Sequence, residues 1–246
     1  DSSSIAYKLK FEYGMNPLLV TFSPLIPSKV GIKNRKNFLN LGFDNIYFYP
    51  NERVSRLLAN RFFLERGNPK VHWDAGINSL PIKVACEKDI KLVFYAEHGE
   101  SEYGGRVLNE NSDKIRNFEE VIENQIGDDP KNWISDEIKE NDLMPYIYPK
   151  LNLINEKNIV AYYFSYFEKW DVHENYKFIK SKMNFIENDE RISGTFQNYD
   201  SLDDYIDPLY YYMQYIKFGF GRSVRDASRL IMLGHISRSQ GLDYVN

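Results

Sequence analysis

Three clusters in this 246-residue chain have residue types and spacing able to do chemistry. The first is Tyr95-Ala96-Glu97-His98-Gly99-Glu100-Ser101-Glu102-Tyr103-Gly104-Gly105, with three carboxylates inside six positions. Carboxylates this close repel one another unless cations or protons meet them, so the run suits a metal, sugar hydroxyls or proton transfer. The alternative is a solvated acidic loop. The second is Lys217-Phe218-Gly219-Phe220-Gly221-Arg222, continuing through Arg225, Asp226, Ser228 and Arg229. Arg222, Arg225 and Arg229 fall three and four apart and share one helix face, where guanidinium groups beside a helix start suit phosphate or carboxylate. The alternative is an ordinary basic surface. The third is Asp1-Ser2-Ser3-Ser4, opening a helical pattern. Asp and Ser there cap free N–H groups, and the same groups bind phosphate.

The elements that must position these clusters alternate. Ile5, Ala6, Leu9 and Tyr13 mark a helical stripe closed by Gly14, followed by a buried strand over Pro17–Phe22. A helix over Lys33–Leu41, a strand over Asn45–Tyr49, a helix over Asn51–Leu64, a helix over Leu80–Glu87 and a strand over Lys91–Tyr95 succeed one another. Alternating strands and helices predict an α/β fold with a parallel, doubly wound sheet. The polar stretch 109–148 reads as a helical insertion or lid anchored by Trp133, and Asn158–Phe167 as a further strand. Beyond it the chain reads as helices over Asp171–Phe185, Asp207–Phe218, Val224–Leu233 and Arg238–Val245. Asp207 as N-cap before Pro208, Gly219 as a left-handed stop, and Ser223/Asp226 and Ser237/Gln240 as capping boxes give these helices their ends. The domain reading is 1–167 as an α/β domain containing the insertion, and 168–246 as a helical C-terminal region.

Bulk properties narrow the classes. The net charge of −4, from 31 basic and 35 acidic side chains, offers no field for nucleic acid or membrane surfaces. The longest apolar runs are too short and too rich in Tyr to span a bilayer, and no leader opens the sequence, so a cytoplasmic protein is expected. Cys86 stands alone, on the apolar side of a predicted helix, where a structural thiol is expected rather than a glutaminase nucleophile. The four histidines are scattered, with no i, i+4 pair for a metal.

The motifs together resemble the N-acetyl sugar amidotransferases, a family of PP-loop ATPases. Asp1-Ser2-Ser3 looks like the tail of the Ser-Gly-Gly-x-Asp-Ser phosphate loop, which reads the chain as cut within that motif. Tyr95-Ala96-Glu97 with Glu102-Tyr103-Gly104 resembles the family's Tyr-Gly-Glu and Glu-Tyr-Gly, with Ala96 and His98 as departures. Trp170-Asp171 with Asn175-Tyr176, Gly194-Thr195-Phe196, Lys217 to Arg222, and Asp226-Ala227-Ser228 follow in the family's order.

The resemblance implies a Rossmann-like PP-loop fold, ATP and Mg2+, and conversion of an acetamido group on a bacterial surface sugar into an acetamidino group. It implies that Asp1 holds the metal, that Ser2, Ser3 and the helix start hold phosphates, and that Thr21, Phe22 and Ser23 border the adenine. Glu97, Glu100 and Glu102 would hold magnesium, bind sugar hydroxyls or deprotonate ammonium. Lys217, Arg222 and Arg225 would neutralise phosphates. Tyr103, Gly104, Gly105, Trp170, Asp171, Asp226 and Ser228 would contact the sugar, free or nucleotide-linked. A separate glutaminase subunit would supply ammonia. The rival readings are another PP-loop enzyme, such as a tRNA-modifying ligase, and a non-catalytic relic that binds a glutaminase.

Overall fold

A computed structural model describes residues 1–96, 115–116, 121 and 127–245. Glu97, His98, Glu100, Glu102, Tyr103, Gly104, Gly105 and part of the predicted insertion lie outside the described residues. The chain divides into two compact units. One comprises 1–23, 43–60 and 71–170; the other comprises 24–42, 61–70 and 171–246.

In the first unit, helix α1 (Ser2–Phe11) buries Ile5, Ala6 and Leu9 of the predicted stripe, whereas Tyr13 lies beyond the helix end, exposed, with its hydroxyl donating to Glu168 at 2.7 Å; Gly14 follows in the left-handed region at φ 67°. Strands β1 (Leu18–Phe22) and β2 (Asp44–Phe48) pair in parallel, Leu18 against Asp44 through Phe22 against Phe48. Between them in sequence, α2 (Lys29–Leu39) belongs to the second unit; α3 (Glu52–Arg66) begins in the first and ends in the second. Helix α4 (Val71–Lys88) packs on both β1 and β3 (Leu92–Tyr95). Strand β3 pairs in parallel with β4 (Val160–Tyr163). Short helices α5 (Glu140–Leu143) and α6 (Leu151–Glu156) precede β4.

Two features differ from the sequence reading. The described strands form two separate two-stranded parallel sheets, not one continuous doubly wound sheet. Helix α4 begins at Val71 instead of Leu80, and Pro81 lies inside it. Proline is favoured at a first turn and unfavourable deeper in a helix, so Leu80-Pro81 reads as a start. Burial overrides that local signal: Val71, His72, Ala75, Asn78 and Ser79 are all buried, and a helix apolar on most sides belongs in a core. Gly76 permits the close approach to β1, because a Cβ there would lie 2.5 Å from the Phe22 ring.

Trp133 is the anchor its sequence context predicts. It is fully buried, 6.0 Å from the Tyr146 ring, and its indole N–H donates to Asp128 at 3.0 Å. Cys86 is buried on α4, and burial raises its thiol above the ordinary value. No helix among the described residues is long and apolar enough to cross a membrane.

The second unit continues with α7 (Val172–Lys182), α8 (Asp207–Phe218), α9 (Arg222–Met232) and α10 (Arg238–Val245). Gly219 ends α8 in the left-handed region at φ 75°, and Ser237 and Gln240 form the reciprocal capping box expected for α10. Two predicted caps differ. Ile206, not Asp207, is the N-cap of α8, because Asp207 is buried in an ion pair with Lys70 at 2.5 Å. Gly221 caps α9, which leaves Ser223 inside the helix with its hydroxyl donating to the Gly194 carbonyl at 2.8 Å.

His72 supplies a test of the first unit's core. It is fully buried, with Nε2 2.9 Å from the Ser55 hydroxyl, and burial pushes its pKa down to about 3. Between that value and an unfolded pKa of about 6.5 only the unfolded chain takes the proton, so stability is complete above 6.5 and falls with pH below it. Urea unfolding at pH 7 and pH 5 should show the protein losing about 2 kcal/mol more than a His72→Gln variant. Equal losses would show that His72 is not held neutral.

Candidate functional site

The second unit draws together residues from widely separated motifs. At its centre, the side chain of Arg222, at the first position of α9, is wholly buried. A buried guanidinium must be compensated. Its Nη2 donates to Asp200 at 3.0 Å, and its Nε lies 3.7 Å from Asp226, one turn along the same helix. Arg225 donates from Nη2 to Asp226 at 2.8 Å and lies 3.6 Å from Asp200. Both guanidiniums sit over the Tyr211 ring, at 4.3 and 5.0 Å. Two cations and two carboxylates balance, so these arginines are already neutralised. Burial works to raise the Asp200 carboxyl, but Arg222 and Arg225 outweigh it and hold it below the usual range.

The Gly194-Thr195 motif joins this network. Gly194 turns at φ 80°, and its carbonyl accepts from the Ser223 backbone N–H at 2.9 Å. Thr195 then donates its hydroxyl to Asp226 at 2.6 Å. The two motifs are thus one hydrogen-bonded assembly.

A second cluster in the same unit involves two histidines that sequence spacing does not bring together. Asp171 caps α7, its Oδ1 accepting from the backbone N–H groups of His173 and Glu174 at 3.1 and 3.0 Å. His235 Nε2 lies 2.9 and 2.8 Å from the two oxygens of the same carboxylate. Burial would raise the Asp171 carboxyl, but the Glu174 N–H, His235 and the His173 N–H outweigh it and hold it low. An ionised carboxylate only accepts, so neutral His235 carries its proton on Nε2 and offers a lone pair at Nδ1.

His173 stands beside it, ring centroids 4.9 Å apart, with its Nδ1 3.2 Å from the Tyr199 hydroxyl. Its pKa is lowered by burial and by the charges of Lys177 and His235. Tyr199 stacks on Tyr176 at 3.8 Å, and burial together with the carboxylates of Asp200 and Asp226 keeps its hydroxyl protonated. Tyr199 and Asp200 are adjacent in sequence, so the histidine pair and the arginine network share one backbone segment.

A local motif fixes His235. After α9, Gly234 is left-handed at φ 81°, its N–H donates to the Ile231 carbonyl, and the His235 N–H reaches back to Leu230 at 2.9 Å. These two bonds form a Schellman motif. One helix therefore carries Arg222 at its start and delivers His235 just past its end.

The remaining predicted site residues are placed as follows. Asp1 is the exposed N-cap of α1 without a side-chain capping bond, Ser2 is exposed and Ser3 half-buried. Thr21, Phe22 and Ser23 lie at the carboxyl end of β1. Thr21 accepts from Asn45 at 3.1 Å, and Ser23 accepts from the Tyr47 hydroxyl at 3.2 Å and, through its carbonyl, from the Trp73 indole at 3.0 Å. Trp170 is half-buried in the first unit. Lys217 is exposed and donates to the Arg66 carbonyl at 2.9 Å, and Ser228 is exposed on α9. Ala96, the last described residue before the acidic cluster, packs with Phe94 against Ile5, Leu9 and Phe164. Among the described residues no group of three His, Cys, Asp or Glu side chains could hold a metal.

Sequence reasoning passed over His173, Tyr199, Asp200, Tyr211 and His235. Gly234 after an amphipathic helix was the available signal for His235; nothing local marks Asp200 or Tyr211.

Residues 193–246 match a family model described as "LPS biosynthesis protein WbpG-like, C-terminal domain". No curated protein matches the chain. The matched stretch contains Gly194, Thr195, Asp200, Tyr211, Arg222, Arg225, Asp226 and His235, and its similarity supports a role in lipopolysaccharide biosynthesis.

Removing one partner from a buried ion-pair network leaves charge without compensation and costs about 3–5 kcal/mol. Arg222→Met should therefore lower the thermal midpoint sharply. Arg222→Lys should restore little, because one ammonium cannot reproduce the planar fork. A midpoint unchanged in both variants would remove Arg222 as the organising residue.

Proposed function

We propose that the chain is the ATP-using part of an amidotransferase of lipopolysaccharide biosynthesis, replacing the oxygen of a sugar acetamido group by nitrogen. The observation that carries this reading is the assembly of Gly194-Thr195 with Arg222 and Asp226, inside the stretch that matches the WbpG-like model. These are the motifs by which the sequence resembles the N-acetyl sugar amidotransferases.

The chemistry requires activation, because an amide oxygen is a poor leaving group. ATP, as a substrate, transfers AMP to that oxygen and releases pyrophosphate. Ammonia then forms the new C–N bond and AMP departs with the oxygen. Asp1, Ser2, Ser3 and the α1 start would meet the phosphates; Thr21 to Ser23 would flank the adenine from the end of β1. Magnesium commonly takes one or two carboxylates plus substrate phosphates, so Asp1 and one of Glu97, Glu100 and Glu102 are the residue types that would hold it. Its contribution would be neutralisation of phosphate charge.

In the second unit, Ser228, exposed on α9, offers a hydroxyl for the sugar, whereas the oxygens of Asp171 and Asp226 are already taken by His235, the α7 N–H groups, Thr195 and Arg225. Lys217, exposed on α8, can approach a ligand phosphate; Arg222 and Arg225 are already paired with Asp200 and Asp226 and act through them. Ammonia would come from a partner glutaminase, since Cys86 is buried with a raised pKa.

The full-length protein should release AMP and pyrophosphate from ATP only when both an acetamido sugar and ammonium are present. UDP- and CMP-linked acetamido sugars are the first substrates to try, and mass spectrometry should find an oxygen replaced by NH. Sugar-independent AMP release would instead indicate a different acceptor, and absence of nucleotide binding would favour a partner-binding role.

A further inference from the structure

The adenylating reading leaves one proton without an assigned acceptor. When ammonia adds to the activated acetamido carbon, the new C–N bond places a positive charge on the incoming nitrogen. AMP cannot leave to give a stable amidinium until that nitrogen loses a proton. The acceptor must be neutral at working pH and close in basicity to neutrality, which is the property of an imidazole.

Among the described residues, His72 is sealed in the first unit's core, while the side chain of His235 is 20% exposed. His235 Nε2 is held against both oxygens of Asp171, which orients the ring and stabilises the imidazolium once formed; this is the orienting logic of an acid–base dyad. No hydrogen bond from a described residue occupies Nδ1. A purely structural tie would need neither feature, since Asp171 already caps α7 with two backbone bonds.

His173 adds a second step. Two imidazolium rings with centroids 4.9 Å apart would repel, so when one ring holds the proton the other stays neutral and can accept it. The charged and titratable groups around the pair are Asp171, Glu174 and Lys177 on α7, and Tyr199 with its neighbour Asp200.

We propose that His235, positioned by Asp171, is the base that takes the proton from the ammonium adduct, with His173 as the neighbouring imidazole that passes it to solvent. This assignment rests on the adenylating reading above. In the step, the adduct N–H bond breaks and the proton moves to His235 Nδ1. The nitrogen lone pair so released forms the C–N double bond, and the C–O bond breaks with its electrons leaving on AMP. Asp171 is a positioning residue and does not itself take the proton.

The test separates the two half-reactions in the full-length protein. Sugar-dependent exchange of labelled pyrophosphate into ATP reports adenylation without ammonia; product formation with ammonium reports the whole. His235→Asn and Asp171→Asn are suitable because Asn caps a helix about as well as Asp, so α7 keeps its start. Both variants should lose about 10²–10⁴-fold in amidine formation and far less in exchange. His173→Asn should lose less than His235→Asn. Hydroxylamine, a weaker base than ammonia, gives an adduct that sheds its proton to water more readily. The variants should therefore be less impaired with hydroxylamine than with ammonium, a difference that a structural defect would not produce.

Equal losses in exchange and product formation would make the dyad a structural tie and overturn the proposal. Unimpaired amidine formation in His235→Asn would overturn it in favour of a carboxylate base among Glu97, Glu100 and Glu102. A parent protein with no sugar-dependent exchange would remove the adenylating reading itself, and this assignment with it.

Discussion

A guanidinium shut away from water is the constraint on which the second unit depends. The Arg222 guanidinium in the interior must be met by carboxylates. Asp226 comes from the same helix, one turn on, at little conformational cost. Asp200 does not: it must be carried in by the segment leading to α8. Fixing Asp200 fixes Tyr199, whose ring stacks on Tyr176 of α7 and whose hydroxyl meets His173. Thr195 closes the other side by donating to Asp226. The ion-pair network and the histidine pair are thus mechanically one object. Disturbing a charge in the first should be felt at the second through a backbone link of a single peptide bond.

Position within α9 explains the rest of the arrangement. The arginines stand on its first turn, against Asp200 and Tyr211. Its last turn ends in a Schellman motif that turns the chain sharply and directs His235 to the N-terminus of α7. A helix of eleven residues is thereby held at its start by ion pairs and, just past its end, by a hydrogen bond to Asp171. Along its length Ala227 and Leu230 are buried, which fixes its rotation. Few rearrangements of such a helix would preserve both ends, so it serves as a rigid scaffold for the second unit.

Much of the fold was legible where local chemistry and burial agree. The α1 stripe, the apolar β1, the left-handed stop at Gly219, the Ser237/Gln240 capping box and the Trp133 anchor all follow from short-range rules. The failures mark places where tertiary context overrode those rules. Pro81 looks like a helix start, but α4 continues through it because its earlier turns are buried against β1. Ser223 and Asp226 have capping-box spacing, yet Asp226 is taken by Arg225 and Thr195, so the cap falls to Gly221. Asp207 has the sequence context of a cap and is instead claimed by Lys70. The site was half legible in the same way. Arg222, Arg225, Asp226 and Asp171 are marked by motif and spacing. His173 and His235 are 62 positions apart, and no periodicity links residues that only meet when α7 and α9 are folded.

The division of the candidate site between matched and unmatched sequence bears on its chemistry. The stretch similar to the WbpG-like model, 193–246, contains the arginine network and His235, but Asp171 and His173 lie upstream of it. Without Asp171 the His235 ring loses the carboxylate that fixes its tautomer, and without His173 it loses its neighbouring acceptor. The matched stretch alone therefore provides a framework and one unoriented imidazole; α7 supplies the carboxylate that orients it. A carboxylate would be a poor substitute in this place. At neutral pH it is several units too weak a base to draw a proton from an ammonium adduct efficiently, whereas an imidazole needs only modest assistance. The contacts that Asp171 makes, two backbone N–H groups and one imidazole, keep it ionised and leave it suited to orienting the ring and not to carrying the proton.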